Sequence, residues 1–164
     1  MDLLALLDFV YDIRMNCQIE ARAGGLMLEQ MLLANQDWLI LLARILLMAL
    51  FLFTGWQKLT NFSTTIQYMT SIAVPVPTIA AVIAIVMELL VGAALILGVF
   101  TRQLALIFMA FTLGTALFGH HYWTLKLDDA SRQENKINFY KNMSIMGGLL
   151  LLAITGPGKF ALLS

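Results

Sequence analysis

The stretch "TIAAVIAIVMELLVGAALILGVF", residues 78–100, decides the fold. At 1.5 Å per residue, a helix needs about 20 apolar residues to cross the ~30 Å of hydrocarbon in a bilayer. This run meets that length with no internal proline and with one ionisable residue, Glu88. The rest of the chain agrees. Of its 164 residues 60% are hydrophobic and 12% charged, with a mean hydropathy of +0.84. An ordinary soluble domain is about 45–50% apolar and about 25% charged. A protein this small has too much surface for its volume to hide so much apolar area from water. Its main solvent is therefore lipid.

Three more runs of the same kind flank the first: 39–56 "LILLARILLMALFLFTGW", 103–122 with "LALIFMAFTLGTALFG", and 137–155 with "MSIMGGLLLLAIT". None has an internal proline, so continuous helices are expected. "VPVP" at 74–77 ends one segment, and Pro77 suits the first turn of the next. "TRQ" at 101–103 reads as a tight link that makes spans two and three antiparallel neighbours. "LKLDDASRQENK", 125–136, reads as the one charged aqueous loop, and "TGPG" closes span four. Gly92, Ala93, Gly114, Gly147 and Gly148 permit the close backbone approach by which helices pack in lipid. The expected fold is an all-α membrane protein: an antiparallel bundle of four transmembrane helices over residues 37–164.

Residues 1–36 read differently. Leu3, Leu6, Leu7, Val10, Ile13 and Cys17 recur at helical spacing, with Asp2, Asp8, Asp12 and Asn16 on other faces. Gly24 and Gly25 break that pattern, and a shorter apolar piece, 26–34, follows. An interfacial amphipathic helix, a helix that docks a protein partner, and a start site placed too early (Met27 or Met31 being the true one) all remain open. The acidic polar face argues against a preference for anionic lipid. "MDLLALLDFVYDIR" lacks the positive n-region of a secretory signal. With Cys17 alone there is no internal disulfide or redox pair, and an inert thiol is expected. Zero net charge and the lack of a basic block exclude a nucleic-acid partner. Arg14, Arg22, Arg44, Arg102 and Lys159 on one side balance Lys58, Lys126, Arg132, Lys136 and Lys141 on the other, so the positive-inside rule sets no orientation.

Ionisable groups at membrane depth are costly and mark candidate sites. Glu88 lies about 15 Å from either face. Side chains tilt toward their own helix's N-terminus, so Glu88 leans toward the end where spans one and three carry Lys58 and His120. Asn138 and Asn142, at i, i+4 on span four with Lys141 beside them, belong to the same end. Lys58, Glu88, His120, Asn138 and Asn142 are thus expected in one half of the bundle, with Lys58 ahead of Arg44 as the partner of Glu88. Arg44 and Arg102 read as end-of-helix residues snorkelling outward. The competing reading is a structural network, because buried charges are paired whether or not they do chemistry.

His120 and His121 do not form a metal or haem pair. Adjacent helical residues diverge by about 100°, and no second His stands at i, i+4. No metal site is expected. Tyr122 and Trp123 read with His121 as an interfacial aromatic belt, which leaves His120 as the ring able to turn inward toward Glu88.

"FTGWQKL" (53–59), "IVMELLVGAALILGVFTRQLAL" (85–106), "TLGTALFGHHYW" (112–123) and "INFYKNMSIMGGLLLLAITGPG" (137–158) together resemble the DoxX family, in particular its YphA-like inner-membrane branch. The resemblance spans about residues 38–158 and leaves out the N-terminal extension. It implies a four-span, multi-pass protein of a bacterial cytoplasmic (inner) membrane, with Gly55, Lys58, Glu88, Arg102, His120, Asn138 and Asn142 at the family-like polar positions. Some relatives are linked to thiosulfate:quinone oxidoreduction and others to thiol-defence complexes. Three functions follow as alternatives. In the first, Lys58, Glu88 and His120 act on a quinone headgroup or similar acceptor, with Gly55, Asn138 and Asn142 helping to bind it. No covalent cofactor is expected, so electrons come from a partner or from the substrate. The second is a non-enzymatic scaffold that docks partners through residues 1–36. The third is a small proton-coupled transporter working as a homo-oligomer around Glu88, which the unbroken spans argue against.

Overall fold

The computed structural model describes residues 14, 15, 22, 24–126 and 130–163. Contacts divide the chain into two compact units, Met1–Leu39 and Ile40–Ser164. In the first, residues 24–34 are helical, and Leu26, Met27, Leu28, Met31, Leu32 and Leu33 are all exposed. Gly24 and Gly25 belong to this helix rather than interrupting it, because glycine in a helix costs only about 1 kcal/mol each against alanine. The helically spaced Leu3, Leu6, Leu7, Val10, Ile13 and Cys17 lie outside the described residues.

The second unit holds α1 (Gln36–Thr60) from Ile40 onward, the short α2 (Phe62–Ser71), α3 (Pro77–Leu97), α4 (Thr101–Gly119) and α5 (Ala130–Thr155). Four of these, all but α2, are long and apolar enough to cross a membrane. This is the all-α four-helix membrane bundle that the composition and the four apolar runs require. Each long helix buries one narrow stripe. On α1 it is Arg44, Met48, Phe51 and Gly55, and on α4 it is Thr101, Ala105, Phe108, Thr112 and Ala116. These three- and four-residue steps keep one face inward as helices pack in a bundle, and the remaining apolar faces are left to lipid. At the centre Phe51 and Phe108 meet edge to face, with ring centroids 4.7 Å apart, among Met48, Leu95, Ala105, Leu149 and Leu152.

Two boundaries and the interior of one span differ from the sequence reading. The link between spans two and three is 98–100 rather than 101–103. Gly98 takes a left-handed conformation (φ 75°), and Thr101–Arg102–Gln103 is already the first turn of α4. The charged loop is shorter than 125–136, because Ser131–Lys136 lies in α5; charged residues continue a helix readily once its nucleus exists. Span two is continuous but not uniform, since Val86–Val91 is a π-helical turn within α3. Such widened turns persist where packing over-determines them, and they concentrate at functional sites.

Arg44 corrects a fourth expectation. It does not snorkel. Its side chain is fully buried (0% exposed), and Nη2 donates to the carbonyl of Phe160. The tail after α5 folds back over this end of the bundle, where Val99 and Leu163 form a single parallel bridge. Phe100 N–H donates to Leu163 O at 2.8 Å, and Leu162 N–H to Leu97 O at 3.1 Å. Gly98 is required here twice over. Its φ is positive, and a Cβ would lie 2.7 Å from Ala161 Cα. Arg102 is exposed, and its Nη1 donates to Ala153 O at 2.9 Å and also to Ile154 O. It therefore caps carbonyls that the end of α5 leaves unpaired.

Candidate functional site

Glu88 sits within the π-helical turn of α3 with its side chain 6% exposed. A carboxylate this deep needs donors, and α1 supplies two. Lys58 Nζ lies 2.9 Å from Oε1 and 2.7 Å from Oε2, and Thr54 Oγ1 donates to Oε2 at 2.9 Å. Lys58 and Thr54 are four residues apart on one helix face, so both reach the same carboxylate. The helices can meet this closely because residue 55 lacks a side chain. A Cβ there would stand 2.8 Å from Glu88 Cβ and 3.0 Å from Leu89 Cγ. Gly55→Ala is therefore expected to push α1 off α3, at about 1–3 kcal/mol for an overpacked core. Thermal unfolding of the purified variant in detergent checks this, and an unchanged midpoint would exclude the close contact.

The pair forms the floor of a cavity of about 560 Å³. Its walls are mostly apolar, with Phe51, Ala84 and Phe111 inside. Leu50, Ile83 and Phe118, which also line it, are 40%, 50% and 58% exposed. The cavity therefore reaches the lipid-facing surface of the bundle, between helices. Tyr68, Met69 and Ile72 of α2 and its following loop cover another side. That loop turns through Ala73 (φ 56°) and Val76 (φ 47°) before Pro77 starts α3. A left-handed β-branched valine is strained, and the Pro77 ring that follows restricts it further.

The other residues singled out in the sequence are distributed around this floor. His120 and Asn142 line the same cavity as Lys58 and Glu88, together with Lys141. Asn142 is buried and its Nδ2 is 3.4 Å from Thr115 Oγ1. Asn138 lies apart from Asn142. It lines an adjoining polar cavity, where its Oδ1 accepts from Lys141 Nζ at 2.7 Å. His120 makes its hydrogen bond to Asn135 (Nδ1 to Oδ1, 3.3 Å) rather than to Glu88. Gly55 packs against the pair from behind and is not part of the cavity wall. His121 Nδ1 is 2.9 Å from Phe118 O, and its ring faces the edge of Trp123. Tyr122, Trp123, Phe139 and Tyr140 form an aromatic cluster, with Tyr122 and Phe139 centroids 5.7 Å apart. Among the described residues no group of three or more His, Cys, Asp or Glu is placed to hold a metal ion.

Sequence reasoning missed Thr54, Tyr68 and Thr115. Thr54 was legible, since it stands one turn before Lys58 and could have been read as a second donor. Tyr68 was not, because α2 is a short polar-apolar segment whose return against the bundle depends on the strained loop after it.

Comparisons with known proteins bear on identity. The DoxX family model matches residues 39–121. The chain is 49% identical over 129 residues to inner membrane protein YphA of Escherichia coli K12, covering 79% of this chain and 91% of that protein. It is 39% identical over 127 residues to inner membrane protein YqjF of the same organism, covering 77% of this chain and 91% of the relative. No solved structure matches. Both relatives are named for the inner membrane, four helices here can cross one, and a family match runs from span one through the end of span three; the chain belongs to the DoxX family and is a multi-pass inner-membrane protein.

Proposed function

We propose that this protein binds the polar ring of a quinone, or of a similar small acceptor with an apolar tail, over the Lys58–Glu88 pair. The observation that carries the reading is the form of the cavity: a charged, hydrogen-bonded floor under apolar walls that extend to the lipid surface. A ligand that partitions into hydrocarbon enters such a site sideways and meets its polar groups at the bottom, as in other pockets that fix orientation with a few polar contacts. Lys58 and His120 are the donors for a carbonyl oxygen, Glu88 exchanges protons, and Asn142 orients the ring. The role is redox-linked in that a quinone taking two electrons also takes two protons. The chain's own side chains offer no electron carrier of the paired-Cys kind, so the donor molecule or a partner protein supplies the electrons.

A short-chain quinone should raise the melting temperature of the purified, detergent-solubilised chain, and the rise should be lost in Glu88→Gln and Lys58→Ala. Shifts that persist in both variants would remove the floor from the site. One feature favours a second reading, a non-enzymatic scaffold: Glu88 already has donors on both oxygens, as a purely structural pair would. Absence of any quinone-dependent shift in the parent protein would favour that scaffold.

A further inference from the structure

We propose that His120 carries protons between the buried Lys58–Glu88 floor and the water-facing end of the bundle, through a second cavity that its ring shares with the first. This rests on reading Glu88 as a proton-exchanging group, and not on which ligand occupies the site.

The second cavity is smaller, about 260 Å³, and differs in character. Ser131, Glu134, Asn135 and Asn138 of α5 line it with His121 and Leu125. The four α5 residues follow the charged 125–130 stretch, at a polar end of the bundle. Four residues border both cavities: Tyr68, Ile72, Gly119 and His120. Ile72 and Gly119 have no group that can take or give a proton. Tyr68 is held back, since its partial burial and the nearby Glu134 carboxylate push its phenol above its ordinary pKa. It remains a neutral hydrogen-bonding group near pH 7. Imidazole is the side chain that loads and unloads a proton in that range. It can also receive a proton on one nitrogen and release another from the opposite nitrogen.

The hydrogen bonds around His120 define the direction of its two nitrogens. Asn135 Nδ2 donates to Ser131 O at 3.0 Å, which turns its Oδ1 toward the ring as an acceptor. With Asn135 Oδ1 as the acceptor, His120 Nδ1 carries the ring proton beside the second cavity, and Nε2 is the ring nitrogen free to accept one. A proton leaving the Glu88 carboxyl, passed over water in the first cavity, adds to Nε2. The proton on Nδ1 then leaves to water in the second cavity, and the ring is left as the neutral Nε2–H tautomer. One proton enters and one departs, and the reverse order carries a proton inward. Water is a reasonable carrier in the first cavity because its volume greatly exceeds the ~30 Å³ of one molecule and Lys58, Thr115 and Asn142 offer polar contacts.

The charged and titratable groups around the ring come from every packed element. They are His121 beside it, Tyr68 of α2, Glu134 and Lys141 of α5, and the Lys58–Glu88 pair of α1 and α3.

The test is a pH jump on the full-length protein in nanodiscs, following the infrared carboxyl band that disappears in Glu88→Gln. In the parent the band should respond promptly to external pH. In His120→Ala the final amplitude should be retained but the rate should fall by about a hundredfold, the usual scale for losing a positioned acid–base group. Added imidazole should restore that rate, which a merely structural role would not allow. Asn135→Leu, which spares the ring, should slow exchange too, and His121→Phe should not. Unchanged rates in both His120→Ala and Asn135→Leu would overturn the proposal. So would a parent protein whose Glu88 band never responds to pH. Quinone-dependent melting shifts, being equilibrium measurements, report separately on the ligand.

Discussion

Lys58→Met should lower the stability of the folded protein by about 3 kcal/mol, near the bottom of the range for breaking a buried ion pair by removing one partner. The lower end applies because the Lys58 side chain is 27% exposed while that of Glu88 is only 6% exposed. A surface pair would be worth about 0–1 kcal/mol, so the burial of Glu88 is what raises the figure. The damage comes from the stranded carboxylate, which keeps a single donor, Thr54. Removing both charges should be milder than removing one. Glu88→Leu combined with Lys58→Met is expected to recover most of the loss, since apolar groups of similar volume replace buried pairs at little or no cost. Denaturant titration in detergent micelles of the two single variants and the double variant would yield the coupling. A loss in the double variant equal to the sum of the two single losses would mean that the two charges do not interact.

Arg44→Ala should cost about 2–5 kcal/mol, the range for large-to-small changes at fully buried sites. Arg44 is the largest wholly buried side chain among the described residues, and its guanidinium holds the tail through Phe160 O. Alanine would leave a cavity beneath residues 159–163 and free that carbonyl. Arg44→Met should be much less harmful. Nε and Nη1 of Arg44 have no hydrogen-bond partner among the described residues, so a flexible apolar side chain fills the space and removes two unsatisfied donors. Limited proteolysis at the C-terminus, alongside thermal unfolding, distinguishes the two variants. If Arg44→Met proves as harmful as Arg44→Ala, the charge rather than the volume holds the tail.

The two predictions concern residues that the sequence treated unequally. Glu88 stood out because it interrupts an otherwise apolar span, and the tilt of helical side chains directed attention to Lys58. The structure puts those atoms 2.7 Å apart. Arg44 is also an ionisable residue within an apolar run, yet position along the helix suggested that it would reach outward to water. That inference failed because a tail more than a hundred residues away in sequence covers it. The asparagines show the same limitation. Spacing of i, i+4 puts Asn138 and Asn142 on one face of α5, but the neighbours of that face change over one turn. One meets Lys141 beside the polar cavity, and the other meets Thr115 in the bundle.

The sequence by itself determined the solvent, the number of spans, their antiparallel order and the family, because hydrophobic length and composition act locally and need no partner. Only the tertiary structure decided which polar groups face one another: the widened turn that carries Glu88, the return of α2 over the cavity, the ring of His120 between two chambers and the burial of Arg44. Each of these depends on contacts between distant segments, and no periodicity along a single helix encodes them.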